Sequence, residues 1–260
     1  MSTAETLTRE EALFTYLLRL ADDRLILGHR LSEWCGHGPI LEEDIALANI
    51  ALDCIGHASH LYEYAAELEG EGRGKDDIVY FRNDVDYVNL KMVELPRGDF
   101  GFTMARQFLF SAWSYLLYDG LREAEDEQFA GMADKHFKEI KYHLRHSREW
   151  VLRLGDGTEE SHRRVQEAFD ELWTYTGELF AGDEVEELLA GENLAVEPAA
   201  LKERWEEIVS GVLEEATLEH PDPDQYMAEG GRRGRHTEHL GPLLAEMQHL
   251  RRSYPDADWE

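Results

Sequence analysis

Residues 135–150, KHFKEIKYHLRHSREW, decide how this chain is read. Ala133, Phe137, Ile140, Leu144, Val151 and Leu154 recur through and beyond it at helical spacing, which predicts one long helix with a single apolar stripe. Such a helix belongs to a core. It also carries Glu139 and His143, four residues apart. In four-helix bundles that hold two metal ions between carboxylates, two helices each carry Glu-x-x-His, because side chains at i and i+3 leave adjacent turns on one face and grip the same ions. Here Tyr142 stands at the histidine's position and His143 follows it. A helix turns about 100° per residue, so this slip carries the imidazole a large fraction of the way off the carboxylate's line. The expectation is a helix built like the wall of a metal site but without its ligands.

The helix that should face it shows the same defect. Where a second Glu-x-x-His is required, the sequence has Asp53-Cys54-Ile55-Gly56, and a glycine cannot ligate. Asp53, Gly56, Glu139 and His143 are therefore read as degenerate positions, and no catalytic metal is expected in this chain. Two His-x-x-His pairs, His57 with His60 and His143 with His146, are the competing signal. Imidazoles at i and i+3 can share a metal only when they face the same way. His60 and His146 fall off the apolar stripes, so histidines hydrogen-bonded at a helix boundary or at an interface between subunits are the expectation. The one true Glu-x-x-His, Glu246 with His249, lies near the C-terminus, outside the long consecutive helices, and has no partner pair.

Periodicity along the chain predicts an all-α bundle in one domain over residues 1–260. Core helices are expected at about 8–35, 41–69, 98–127 and 132–154, with a break near 128–131, and accessory helices at about 158–180, 198–218 and 237–254. Residues 70–96 lack a long period and are taken as the crossover between the second and third core helices. The third helix is rich in aromatics. Phe108, Trp113 and Tyr115 on it are candidate interface residues, or part of the core behind an interface. The chain has no strand-like segment and no repeat of solenoid length.

With 26 basic against 55 acidic residues the formal net charge is −29. Such a surface repels phosphate backbones and anionic lipid heads, so neither nucleic acid nor membrane is an expected partner. Screening by high salt would relieve the self-repulsion. A melting temperature that rises from low to molar KCl is the expected result, and one indifferent to salt would refute salt adaptation. No apolar run reaches the roughly 18 residues of a membrane span, and residues 1–14 do not read as a signal peptide, so a cytoplasmic location is expected. Cys35 and Cys54 fall inside predicted helices and are expected to be buried free thiols. GGRRGR, residues 230–235, is the one basic cluster. It suits either an anionic ligand or salt bridges to acids of the same chain. No Walker-type loop, Gly-x-Ser-x-Gly or dinucleotide fingerprint occurs.

Several stretches together resemble one family. RLSEWCGHGP (30–39), EEDIALANIALD (42–53), ARQFLF (105–110), EIKYHLRHSREWVLRLGDGT (139–158) and HTEHLGPLLAEMQHLRRSYPDADW (236–259) are similar to the C subunits of bacterial phenylacetyl-CoA epoxidase, over nearly the whole chain. The resemblance implies a ferritin-like four-helix bundle with additional C-terminal helices. It further implies a non-catalytic structural subunit without a cofactor of its own, paired with a homologous A subunit that carries the di-iron centre. Small accessory subunits and a flavin and iron–sulfur reductase would complete the monooxygenase of aerobic phenylacetate catabolism. Two alternatives stay open. One is a stand-alone di-metal oxidase or metal-storage protein using Asp53, His57, Glu139 and His143 as unorthodox ligands; the other is a helical interaction protein unrelated to oxygenation.

Overall fold

A computed structural model of the chain describes residues 7–257; residues 1–6, the start of the segment read as lacking a signal peptide, and 258–260 lie outside the described residues. Every regular element among the described residues is helical. Helix α1 spans Arg9–Ser32 and starts at a capping box, in which Thr8 accepts from the Glu11 amide and Glu11 reaches back to the Thr8 amide. Helix α2, Leu41–Glu69, ends at Gly70, whose φ of 69° supplies the left-handed turn that most side chains resist. Between α2 and the third long helix lie a short helix α3, Lys75–Tyr80, and two 3-10 turns, Asp84–Asp86 and Lys91–Glu94, filling the expected crossover.

Helix α4, Phe100–Leu121, is capped by Asp99, and α5, Glu127–Gly155, is capped by Asp126, which accepts from the Phe129 amide. The break between them is therefore at 122–126, not at 128–131. A short acidic cap at Asp126 outweighs Gly131, which sits inside α5 where an added Cβ would meet nothing within 4 Å. After α5 come α6, Glu159–Trp173; α7, Glu184–Gly191; α8, Lys202–Glu215; and α9, Leu240–Ser253. Helix α7 has no counterpart among the elements expected from periodicity, because eight residues are too few to show one; its start is marked by Asp183, which caps the Val185 amide. The expected helices 158–180 and 198–218 are each shortened by a 3-10 turn, at Thr176–Leu179 and Pro198–Leu201.

The arrangement is a ferritin-like bundle. α1 packs along α2 and α4 along α5, α2 and α5 face each other, and α6, α7 and α8 cover the outside of α1, α4 and α5. α4 is buried almost all round, as a helix wrapped by neighbours must be. Phe108 and Trp113 are accordingly inside the chain's own core, at 0% and 5% exposure, while Tyr115 is half-buried and stacks on Phe137 with ring centroids 5.1 Å apart.

α1 also anchors the irregular segments through buried ion pairs. Asp22 takes Arg82 and the Val88 amide, Asp23 takes Arg232 at 2.8 Å and the Leu90 amide at 2.7 Å, and Arg19 takes Asp183 and Glu186 at 2.7 and 2.6 Å. Arg232 is the inward member of the GGRRGR loop and also donates to the Val88 and Arg19 carbonyls. That loop is bound to the acids of its own chain. Arg233 and Arg235 stay exposed beside a shallow cleft of about 270 Å³.

Candidate functional site

α2 and α5 run antiparallel, and the polar residues on their facing sides pair across the gap. His57 Nε2 lies 2.5 Å from Glu139 Oε2, and His143 Nε2 lies 3.0 Å from Asp53 Oδ2. Each helix thus contributes a carboxylate and, four residues later, an imidazole, and each imidazole bonds the other helix's carboxylate. The clasp is extended at both ends, by His60 Nδ1 with His136 Nε2 at 3.2 Å and by His146 Nε2 with Glu43 Oε2 at 2.7 Å. His136 also stacks on His57, centroids 4.0 Å apart.

This geometry bears on the positions read from the sequence. His57 and His143 are both buried, and the i+4 spacing, repeated on both helices, sets each opposite the other helix's carboxylate and off the line of its own. Gly56 is not at a ligand position at all. It faces outward, with open space where a side chain would be, and His57 occupies the inward place. In the two His-x-x-His pairs, His57 with His60 and His143 with His146, every histidine finds its hydrogen-bond partner on the facing helix. Glu246 and His249 are exposed on α9. Cys54 is buried beneath the clasp as expected, whereas Cys35 is exposed in the turn after α1.

Two members of the site were not singled out from the sequence. His136 is fully buried, and its spacing from Ile140 and His143 placed it on the apolar stripe. Arg24 of α1 is 2% exposed, lies 5.0 Å from the ring centroids of both Phe110 and Tyr118, and has no hydrogen-bond partner at Nη2 and no carboxylate within ion-pair distance among the described residues. The signal for it was a charge in the middle of a leucine stripe.

Burial first, then the positive field of Arg24 and neighbouring imidazoles, lowers the proton affinity of His57 and that of His136; for His143 burial again dominates, with its bond to Asp53 opposing. The bonding pattern agrees. Nδ1 of His57, His136 and His143 has no partner, so protonation would bury an unsatisfied N–H. The short contact of His57 to Glu139 could be taken for an ion pair, but the bare Nδ1 and the burial favour a neutral ring donating from Nε2.

A pair of irons needs carboxylates from all four bundle helices. α2 and α5 offer Asp53, His57, Glu139 and His143. The buried polar residues of α4 are Thr103, Arg106, Gln107, Ser111 and Ser114, none of them acidic. α1 has Asp22 and Asp23, both taken by arginines of the crossover and the C-terminal loop, and presents Arg24 to the histidines. A fixed cation there opposes further positive charge. No group of three or more His, Cys, Asp or Glu among the described residues is arranged to hold one ion. The donor set does not fit a di-iron centre.

Fold and site together define a ferritin-like bundle whose would-be metal helices are joined by hydrogen bonds. The chain matches the model of the family described as phenylacetic acid catabolic protein over residues 1–259, and it belongs to that family. It is 47% identical over 247 residues to the C subunit of the 1,2-phenylacetyl-CoA epoxidase of Escherichia coli (strain K12), an alignment that covers 95% of this chain and 99% of that protein. No helix among the described residues is long and apolar enough to cross a membrane.

Proposed function

We propose that this chain is the non-catalytic structural subunit of a phenylacetyl-CoA epoxidase, pairing with a homologous A subunit whose di-iron centre performs the oxygenation. The observation that carries the reading is the crossed clasp of Asp53 with His143 and Glu139 with His57, set beside the buried cation of Arg24. Side chains that satisfy one another need no ion between them. The 47% identity to a C subunit supports this reading, in which the chain is a bundle that shapes and supports its neighbour. Small accessory subunits and a reductase would complete the complex, and no cofactor would reside in this chain.

Metal analysis tests the proposal. After refolding or incubation with ferrous iron under anaerobic conditions and desalting, the isolated chain is expected to retain well under 0.1 iron per chain, roughly the background of adventitious surface carboxylates. The A subunit treated in parallel should retain close to two. Near-stoichiometric iron in this chain, lost on Glu139→Ala, would favour the stand-alone di-metal oxidase or store instead.

A further inference from the structure

Among the described residues, His236 is the one histidine whose two ring nitrogens both meet acceptors. Nδ1 lies 2.5 Å from Glu94 Oε1, and Nε2 lies 2.8 Å from the Tyr87 carbonyl oxygen. A neutral imidazole has one N–H and one lone pair, so in this place it would set its lone pair against an oxygen. The imidazolium, with two N–H groups, satisfies both contacts.

Glu94 needs that cation. Its side chain is 0% exposed, and besides the ring it accepts from Asn89 Nδ2 at 2.9 Å, from the Thr237 amide at 2.7 Å and from Thr237 Oγ1 at 2.6 Å. No lysine or arginine among the described residues comes within ion-pair distance of it, so the histidine is its counter-charge. A buried carboxylate that loses its cation is strongly destabilised. The surroundings favour the charged ring. On α1, Asp22, paired with Arg82, adds a negative field, while Arg30 grips the Glu94 and His239 carbonyls and not the carboxylate. From α9 comes only the neutral Gln248, bonded to the Tyr87 hydroxyl. Burial alone would weaken the ring's hold on its proton, but Glu94 and Asp22 outweigh it and raise the pKa.

The contact joins distant parts of the chain. Glu94 closes the second 3-10 turn of the crossover, and His236 and Thr237 lead into α9. We propose that His236, held as an imidazolium between Glu94 and the Tyr87 carbonyl, is a proton-operated latch that fastens the entry of α9 to the crossover and opens when the ring loses its proton. Thr237 is the reporter, because its amide and hydroxyl both end on the carboxylate that the latch neutralises.

The test uses the full chain labelled with 15N. At about pH 7 the His236 ring is expected to carry a proton on both nitrogens. Between about pH 7 and about pH 9.5, amide exchange at Thr237, corrected for the intrinsic effect of pH, should speed up at least about tenfold, while amides in the middle of α2 keep their protection. His236→Gln, neutral at every pH, should already exchange fast at Thr237 at about pH 7 and show no further rise. Glu94→Gln removes the demand for a cation, so its ring should be neutral at about pH 7 and its Thr237 exchange independent of pH. Two results overturn the latch, and both are read on the unaltered chain, whatever the variants do: a singly protonated His236 ring at about pH 7, or Thr237 protection that persists to about pH 9.5.

Discussion

Acidification from about pH 7.5 to about 5.5 is expected to remove roughly 3 kcal/mol of folding stability, a fall of roughly 6 °C in melting temperature. The cause is the histidine clasp. His57, His136 and His143 are held neutral by burial and by Arg24, while in the unfolded chain each takes a proton near the ordinary histidine pKa. A histidine whose folded pKa is depressed makes the unfolded state bind more protons as pH drops through about 6.5, so stability is lost in that direction, at about 1.4 kcal/mol per ring over this interval. His57 and His136, the two most strongly depressed, give about 3 kcal/mol between them, and His143 adds in the same direction, opposed by its bond to Asp53. Two groups oppose them. The Glu94 carboxylate, against the effect of burial, raises the pKa of His236, so that histidine stabilises below about pH 6.5 and loses its contribution as pH rises. Asp23, raised by burial to about 6, takes up a proton in the folded state and works the same way. The groups that face the three rings are Arg24, Asp53, Glu139, His60 and Lys135. Replacing His136 by Gln should flatten the slope by about one ring's share. A melting temperature constant across this range would show that the rings protonate in place.

Arg232→Ala is expected to cost about 3 to 5 kcal/mol, because it leaves a buried carboxylate without its cation. Asp23 is 1% exposed and binds Arg232 at 2.8 Å, and the same guanidinium holds the Val88 and Arg19 carbonyls. Burial already raises Asp23 to about 6 although Arg232 pulls it down. Without the arginine the folded pKa rises further, so the folded state binds more protons than the unfolded one over a wider range, and stability falls as pH climbs through it. The deficit of the variant should therefore be largest near pH 8 and shrink toward pH 5. Chemical denaturation at the two pH values measures it. An equal deficit at both would mean that lost packing, not the stranded charge, dominates.

The clasp and the ion pairs differ in how much of them could be read beforehand. The four long helices follow from apolar spacing, since a stripe repeating every three to four residues can be buried only on a helix. Asp53, Glu139 and His143 were legible as the positions where metal chemistry would be sought. The place of His57 was not, because the metal template asks for i+3 and drew attention to Gly56. Whether an imidazole at i+4 reaches a carboxylate on another helix depends on the distance and stagger of two helices, which no single helix encodes. The same holds for the aromatic run of α4. Its composition announces burial but not by whom, and the packing of α6 and α8 from the far end of the sequence puts Phe108 and Trp113 inside the chain.

By itself the sequence determined the helical class, the order of the elements, the acidic surface and the family, all properties set by local periodicity, composition and matched residues. Only the tertiary structure decided that His57 and His143 are satisfied by carboxylates of the facing helix, that Arg24 lies beside them, and that Arg232 points inward. Each of these is a relation between residues far apart in the chain. Such a relation exists only once the bundle has fixed the spacing of its helices, and hydrogen bonds and ion pairs are too short-ranged to be foreseen without that spacing.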